Sequence, residues 1–215
     1  MEKKLYIFSD ISYEILKKKI LNIVQVRNEN IFHDWFNFDY KIDKSNEKFL
    51  TNLIVNNKYN IDFYSEFQLQ LYFIIPLLHK IYFYGNNYRE WFQEEISAVI
   101  NNNKLKGVLD FMVASGTDEP EKPYFFIQEF KKSAPIPKHP RGQLLAQMAC
   151  AIEKNKTINM RGAYNIGKYW NFVVLEKISP SKYQYHESES FDVLKINDLK
   201  KIFKILKAVK HKYCK

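Results

Sequence analysis

Cysteine is scarce in this sequence. Its 215 residues contain only Cys150 and Cys214, and neither belongs to a CxxC pair. That argues against a disulfide framework or a cysteine zinc site, and it favours a reducing compartment. Long apolar runs are missing as well. The longest, FIIPLL at 73–78, is far too short to cross a bilayer, and no apolar leader follows MEKK. The expectation is a soluble cytoplasmic protein without a membrane partner. No GxxxxGK[ST] loop occurs, and GAYNIGKYW does not replace it. There is no internal repeat or low-complexity segment. Arginine is rare too, with four residues (Arg27, Arg89, Arg141 and Arg161) against 29 lysines.

What is present is a foldable, basic, aromatic chain. Hydrophobic residues make up 46%, enough for one domain with a full core or a domain with a helical appendage. The net charge of +9 favours a polyanion partner, nucleic acid first, although a solvated lysine surface gives the same count. Some of the 15 tyrosines are expected at the surface, where they can stack on bases or on a protein.

The chain divides into a segment over 1–60, helical and aromatic-rich, packed on or appended to a core over 61–215. In the first part helices are expected over ISYEILKKKILNIV, capped by Asp10, and over NEKFLTNLIVNN. His33 reads as structural, because no second ligand sits at a metal-binding spacing. A longer helix spans 65–84. Ser65 and Gln68 form a capping box, and Phe67, Leu71, Ile74, Ile75 and Leu78 keep helical spacing, with Pro76 kinking or splitting the end. The period then changes. WFQEEISAVI, KGVLDFMVAS, PYFFIQEFKK and YWNFVVLEK read as strands, with the helix RGQLLAQMACAIEKN between the third and fourth. KYQYHES is a further candidate strand, and Gly167 suits a hairpin turn before YWNFVVLE. Three strands with short connections and a helical crossover predict a mixed α/β sheet of four to five strands flanked by helices. Residues 197–213 form an amphipathic helix with Leu199, Ile202, Phe203, Leu206 and Val209 inward and lysines outward.

Acids interrupt two of these strands. Alternation puts Phe125, Ile127, Glu129 and Lys131 on one face, and Val108, Asp110 and Met112 on one face of the preceding strand. Pairing the two as a hairpin brings Asp110 beside Glu129. Two carboxylates so placed repel, and one takes up a proton unless a cation intervenes. Their oxygens suit a hard ion such as Mg²⁺ or Mn²⁺, which acidifies a bound water and neutralises a phosphate oxygen. Lys131, on the same face, offsets charge on a phosphorane. The residues alone therefore point to phosphodiester hydrolysis or to an edge of ordinary surface charges.

GVLD at 107–110, QEFK at 128–131 and the RGQLLAQ helix at 141–147 together resemble the PD-(D/E)xK nuclease superfamily, with its restriction-endonuclease-like fold. The likeness extends to the helix–strand–strand–strand–helix–strand order from Glu66 to Glu176. Leu109 stands where the motif has proline. The resemblance implies a divalent-metal-dependent nuclease acting on DNA ahead of RNA. A symmetric homodimer would suit double-strand cutting. The alternative is a nuclease-fold module without catalysis that binds nucleic acid or a protein.

By that resemblance Asp110 and Glu129 ligate the metal, the Phe130 carbonyl reaches it, and Lys131 is the motif lysine. Glu66 is the first candidate for an accessory acid, ahead of Glu95 and Glu94. Gln143 holds a metal-bound water or a phosphate. Lys138 and Arg141, on the SAPIPKHPRGQ loop, clamp phosphates, and Gln147 joins them as a nucleic-acid contact. Some relatives carry a tyrosine at the position of Gln147. His139 reads as a loop residue.

Overall fold

The computed structural model describes residues 4–133 and 139–214. Its strands are β1 (Lys4–Ile7), β2 (Asn22–Gln25), β3 (Arg89–Ile100), β4 (Asn103–Ser115), β5 (Glu121–Lys131), β6 (Asn159–Ile166), β7 (Tyr169–Ser179), β8 (Lys182–Glu187) and β9 (Phe191–Asp192). Its α-helices are α1 (Tyr13–Ile15), α2 (His33–Phe36), α3 (Lys44–Asn57), α4 (Glu66–Leu69), α5 (Ile75–Ile81), α6 (Pro140–Asn155) and α7 (Ile196–Ala208).

The architecture is mixed α/β around one mixed sheet, ordered β1-β4-β5-β6-β7-β8-β2, with β3 on β4 and β9 on β7. Among the described residues it has nine strands, not the four to five expected. Two of the extra strands come from the first 60 residues. The four-residue β1 runs parallel to β4, and the four-residue β2 runs parallel to β8. Strands this short carry too little alternation to be read. The third addition, β6, changes the connectivity. The α6 crossover leads from β5 to β6 in parallel, and YWNFVVLEK returns antiparallel to β6 as β7. Gly167 (φ 54°) sits in that β6–β7 turn, where only glycine adopts the left-handed conformation without strain.

Each face of the sheet carries its own core. On one, Leu144, Leu145 and Met148 of α6 pack with Leu109, Met112 and Ile127 of the sheet and with Leu16 and Ile20 after α1. On the other, α3, α5 and α7 supply Leu50, Leu77, Leu78, Phe203 and Leu206 against Phe111, Phe126 and Phe172. The five inward residues expected on the last helix are all buried.

The helical stretch 66–81 departs from its expected face. The Ser65–Gln68 capping box forms, but Phe67 is 69% exposed and Leu71 43% exposed. The buried side is Leu69, Phe73, Ile74, Leu77, Leu78 and Ile81. A π-helical turn over Gln70–Ile74 joins α4 to α5. A wider turn slips the helical phase, so an i, i+4 pattern does not carry through it. Pro76 opens α5 rather than ending the helix. Near the N-terminus the expected helix is also shorter. Ser12, not Asp10, caps α1, and the chain enters β2 after a π-turn at Leu16–Ile20.

β4 is the strand that shapes the site. Along one edge it pairs with β3. Along the other it pairs with β1 up to Lys106 and with β5 from Phe111 onward. Between these, residues 107–110 have no ladder partner on that edge among the described residues. Asp110 closes this gap.

Candidate active site

Asp110 stands where β4 changes phase. Leu105 and Leu109 face the α6 core, yet so do Met112 and Ala114, while Phe111 and Val113 face the other side. Simple alternation of Val108, Asp110 and Met112 therefore does not hold: inward parity switches at Asp110. The cause lies across the ladder. Phe92 pairs with Phe111 and Glu94 with Leu109, leaving Gln93 opposite Asp110. Gln93 has φ 56°, a conformation rare for a non-glycine residue and one that interrupts the pleat. Its Nε2 donates to Asp110 Oδ1 at 3.2 Å. The Phe130 N–H donates to Asp110 Oδ2 at 2.7 Å. Both carboxylate oxygens are thus aimed by β3 and β5. Burial raises the Asp110 pKa, partly offset by the Phe130 N–H, Lys131 and Gln93.

Glu129 and Lys131 share the α6 face of β5. Glu129 is fully buried. Lys131 Nζ lies 2.8 Å from Glu129 Oε1, and Gln147 Nε2 donates to Glu129 Oε2 at 2.9 Å. Burial first, then the Asp110 charge, pushes the Glu129 carboxyl up to about 8, with Lys131 and Gln147 pulling the other way. The Asp110 charge thus acts on Glu129 in the direction expected of a neighbouring carboxylate. For Lys131, burial opposes the charge, but Glu129, Asp110 and Glu66 outweigh it and the pKa is raised.

Glu66 comes from the opposite helical layer, around the end of β5. Its Oε1 lies 3.5 Å from Lys131 Nζ, and its Oε2 accepts the Lys132 N–H at 3.3 Å. Of the three accessory candidates, Glu66 is the one that joins the cluster. Glu95 instead faces Lys106 at 3.8 Å, and Glu94 pairs with Leu109 in the β3–β4 ladder.

The remaining candidates scatter. Gln143 is half-buried on α6, one turn before Gln147. Gln147, expected to meet nucleic acid, is fully buried and supports Glu129 instead. Arg141 is engaged within the protein: its Nε lies 3.0 Å from Glu187 Oε2, and its Nη1 reaches the Tyr185 hydroxyl at 3.5 Å. Glu187 is also bound by the Tyr164 hydroxyl. His139 caps α6 by accepting the Arg141 N–H at 3.2 Å. Lys138 lies outside the described residues. For Phe130 the structure fixes the role of the N–H, on Asp110.

Sequence reasoning missed Gln93. Nothing in WFQEEISAVI marks it, because its role depends on one left-handed residue facing Asp110. Gln147 was read as a nucleic-acid contact, and its bond to Glu129 depends on the packing of α6 against β5.

The donor set suits a hard divalent cation in kind and charge. Asp110, Glu129 and Glu66 offer oxygens only, and one ammonium, Lys131, leaves their negative charge incompletely offset when all are ionised. As arranged, no group of three or more His, Cys, Asp or Glu side chains among the described residues is placed to hold a metal ion. Lys131 lies between Glu129 and Glu66. Among the described residues no helix is long and apolar enough to cross a membrane.

Comparison with known proteins finds no family model that matches the chain, and no curated protein similar to it at a significant level.

Proposed function

We propose that this chain is a divalent-metal-dependent nuclease with a restriction-endonuclease-like core inside its larger sheet. The observation that carries the reading is the meeting of Asp110, Glu129, Lys131 and Glu66 at the point where β4 and β5 part. A buried carboxyl raised to about 8 beside a second acid is a group whose ionisation a cation would favour.

Asp110 and Glu129, with Glu66 and the Phe130 carbonyl as further donors, would hold Mg²⁺ or Mn²⁺. When bound, such an ion supplies an acidified water and neutralises a phosphate oxygen. The chain's own groups do the rest. Gln93 and the Phe130 N–H fix Asp110, and Gln147 fixes Glu129. Lys131 brings a positive charge to the same face, where negative charge grows as the phosphodiester is attacked. DNA is the first substrate to test, ahead of RNA. The test is Mn²⁺-dependent nicking of plasmid DNA, and activity that survives both EDTA and Asp110→Asn would refute it.

A second reading, a nuclease-fold module without catalysis, is favoured by one observation: Lys131 lies within ion-pair distance of both Glu129 and Glu66 without a metal. It predicts nucleic-acid binding indifferent to Mn²⁺ and to Lys131→Ala.

A further inference from the structure

The helical layer carries a second basic cluster remote from the acids. Lys80 lies in the last turn of α5, Lys207 lies near the end of α7, and Lys210 follows in the π-turn over Val209–Tyr213. Each is half-buried, and among the described residues none of the three forms an ion pair. Burial first, then Lys210 and Lys80, pulls Lys207 down to about 8, with only a weak opposing effect from Asp43. The cluster thus keeps several like charges together at an electrostatic cost. Lys207 has a structural duty, donating to the Ile81 carbonyl at 3.1 Å at the end of α5. Among the described residues, Lys80 and Lys210 have no such bond.

Aromatic rings interleave with these ammonium groups. Lys80 sits 5.5 Å from the centre of the Phe49 ring, Lys207 5.6 Å from Tyr40 and Lys210 5.0 Å from Tyr82. Tyr82 is 57% exposed, and its ring packs 4.9 Å from that of Tyr84, itself partly open to solvent. Tyr82 is the left-handed C-cap of α5, with φ 60°. Phe49, Pro76, His79, Lys80 and Tyr82 line a depression of about 420 Å³ beside it.

We propose that this face, with Lys80, Lys210 and Tyr82 at its centre, binds single-stranded nucleic acid. Unneutralised lysines meet the phosphates, and exposed tyrosine faces accept bases, the combination single strands require. An acidic peptide would use the lysines but leave the tyrosine faces without planar partners. The choice of nucleic acid rests in part on the nuclease reading. Stretch 66–81 runs from Glu66 to this face, so along that helix the two lie roughly 22 Å apart at about 1.5 Å per residue. A bound strand would be anchored away from the acids that cut it.

The experiment is fluorescence anisotropy of a labelled 20-mer of deoxythymidine, in EDTA, across a NaCl series. The variants are Lys80→Glu with Lys210→Glu, the milder Lys80→Gln with Lys210→Gln, Tyr82→Ala, and a charge-matched control, Lys17→Glu with Lys19→Glu. Charge reversal at Lys80 and Lys210 should weaken binding at least tenfold and lower the salt slope by about 1.4. The glutamine pair should weaken it less, Tyr82→Ala should weaken it without changing the slope, and the control should stay within about threefold of wild type. Equal losses in the control and the reversed pair would overturn the proposal. So would displacement of the oligonucleotide by polyglutamate of equal length as readily as by unlabelled oligonucleotide. A parallel plasmid-cleavage assay of wild type and Asp110→Asn with Mn²⁺ separates the two readings. If wild type cleaves nothing, or Asp110→Asn cleaves as well as wild type, but binding still depends on Lys80 and Lys210, the nuclease reading falls and this one stands. If cleavage is intact and charge reversal leaves binding unchanged, this one falls alone.

Discussion

The Phe130 N–H donates to Asp110 Oδ2 at 2.7 Å, just past the last ladder pair between β4 and β5, Phe111 with Gln128. A side chain thus takes the place of a backbone acceptor where the strands part. The structural role of Asp110 is therefore separable from the metal-binding role proposed for it. Asp110→Asn keeps an oxygen for Phe130 and should unfold within about 1 kcal/mol of wild type. Asp110→Ala leaves the N–H without its acceptor and should cost about 1–3 kcal/mol. Both should lose metal-induced stabilisation. Urea unfolding with and without Mn²⁺ checks all of this.

Glu129 makes stability fall with pH in the metal-free protein. Its folded pKa, about 8, lies above the ordinary value of 4.5, so the native state binds this proton more tightly than the unfolded chain. Its contribution is most favourable at and below the unfolded pKa, is lost between there and about 8, and is level above. Asp110, also raised, adds a loss of the same sign. Thermal melts in EDTA should show the decline, and Glu129→Gln should flatten it and raise the melting temperature above pH 8. Mn²⁺ should stabilise wild type increasingly as pH approaches about 8, because binding requires the ionised carboxylate.

Gln147 should set where that pH dependence falls. Its amide is a hydrogen-bond donor to Glu129 and holds the carboxyl pKa down. Gln147→Leu removes this support at similar volume. The pH midpoint for Mn²⁺ binding, followed by calorimetry, should move upward, with affinity above the new midpoint changed less than affinity below it. A nucleic-acid contact at Gln147 would instead change oligonucleotide affinity and leave the metal midpoint in place.

Much of this site was legible because strand signals survive in short windows. GVLDFMVA and YFFIQEFK carry enough β-branched and aromatic residues to be read as a hairpin, and the acid–lysine spacing follows from a period of two. The Ser65–Gln68 box likewise announced the helix that delivers Glu66. Long-range pairing was not legible. KLYI and NIVQ become strands only because β4 and β8 offer them edges. The phase change at Asp110 depends on the backbone of Gln93, which its side-chain type does not reveal.

The π-turn between α4 and α5 gives a test of the same limit. Phe67 follows the apolar spacing but lies largely in solvent, whereas Phe73 is buried. Phe67→Ala should change stability by no more than about 0.5 kcal/mol, while Phe73→Ala should cost about 3–5 kcal/mol. Comparable losses from chemical denaturation would contradict the phase slip.

The most direct measurement is plasmid cleavage at pH 8 with Mn²⁺ by wild type, Asp110→Asn, Glu129→Gln and Lys131→Ala, each first confirmed as folded by circular dichroism. The account predicts cleavage by wild type that EDTA abolishes, with activity reduced at least a hundredfold in every variant. Cleavage by Asp110→Asn at the wild-type rate, or a wild-type protein that neither cuts nor binds Mn²⁺ at this pH, would contradict it.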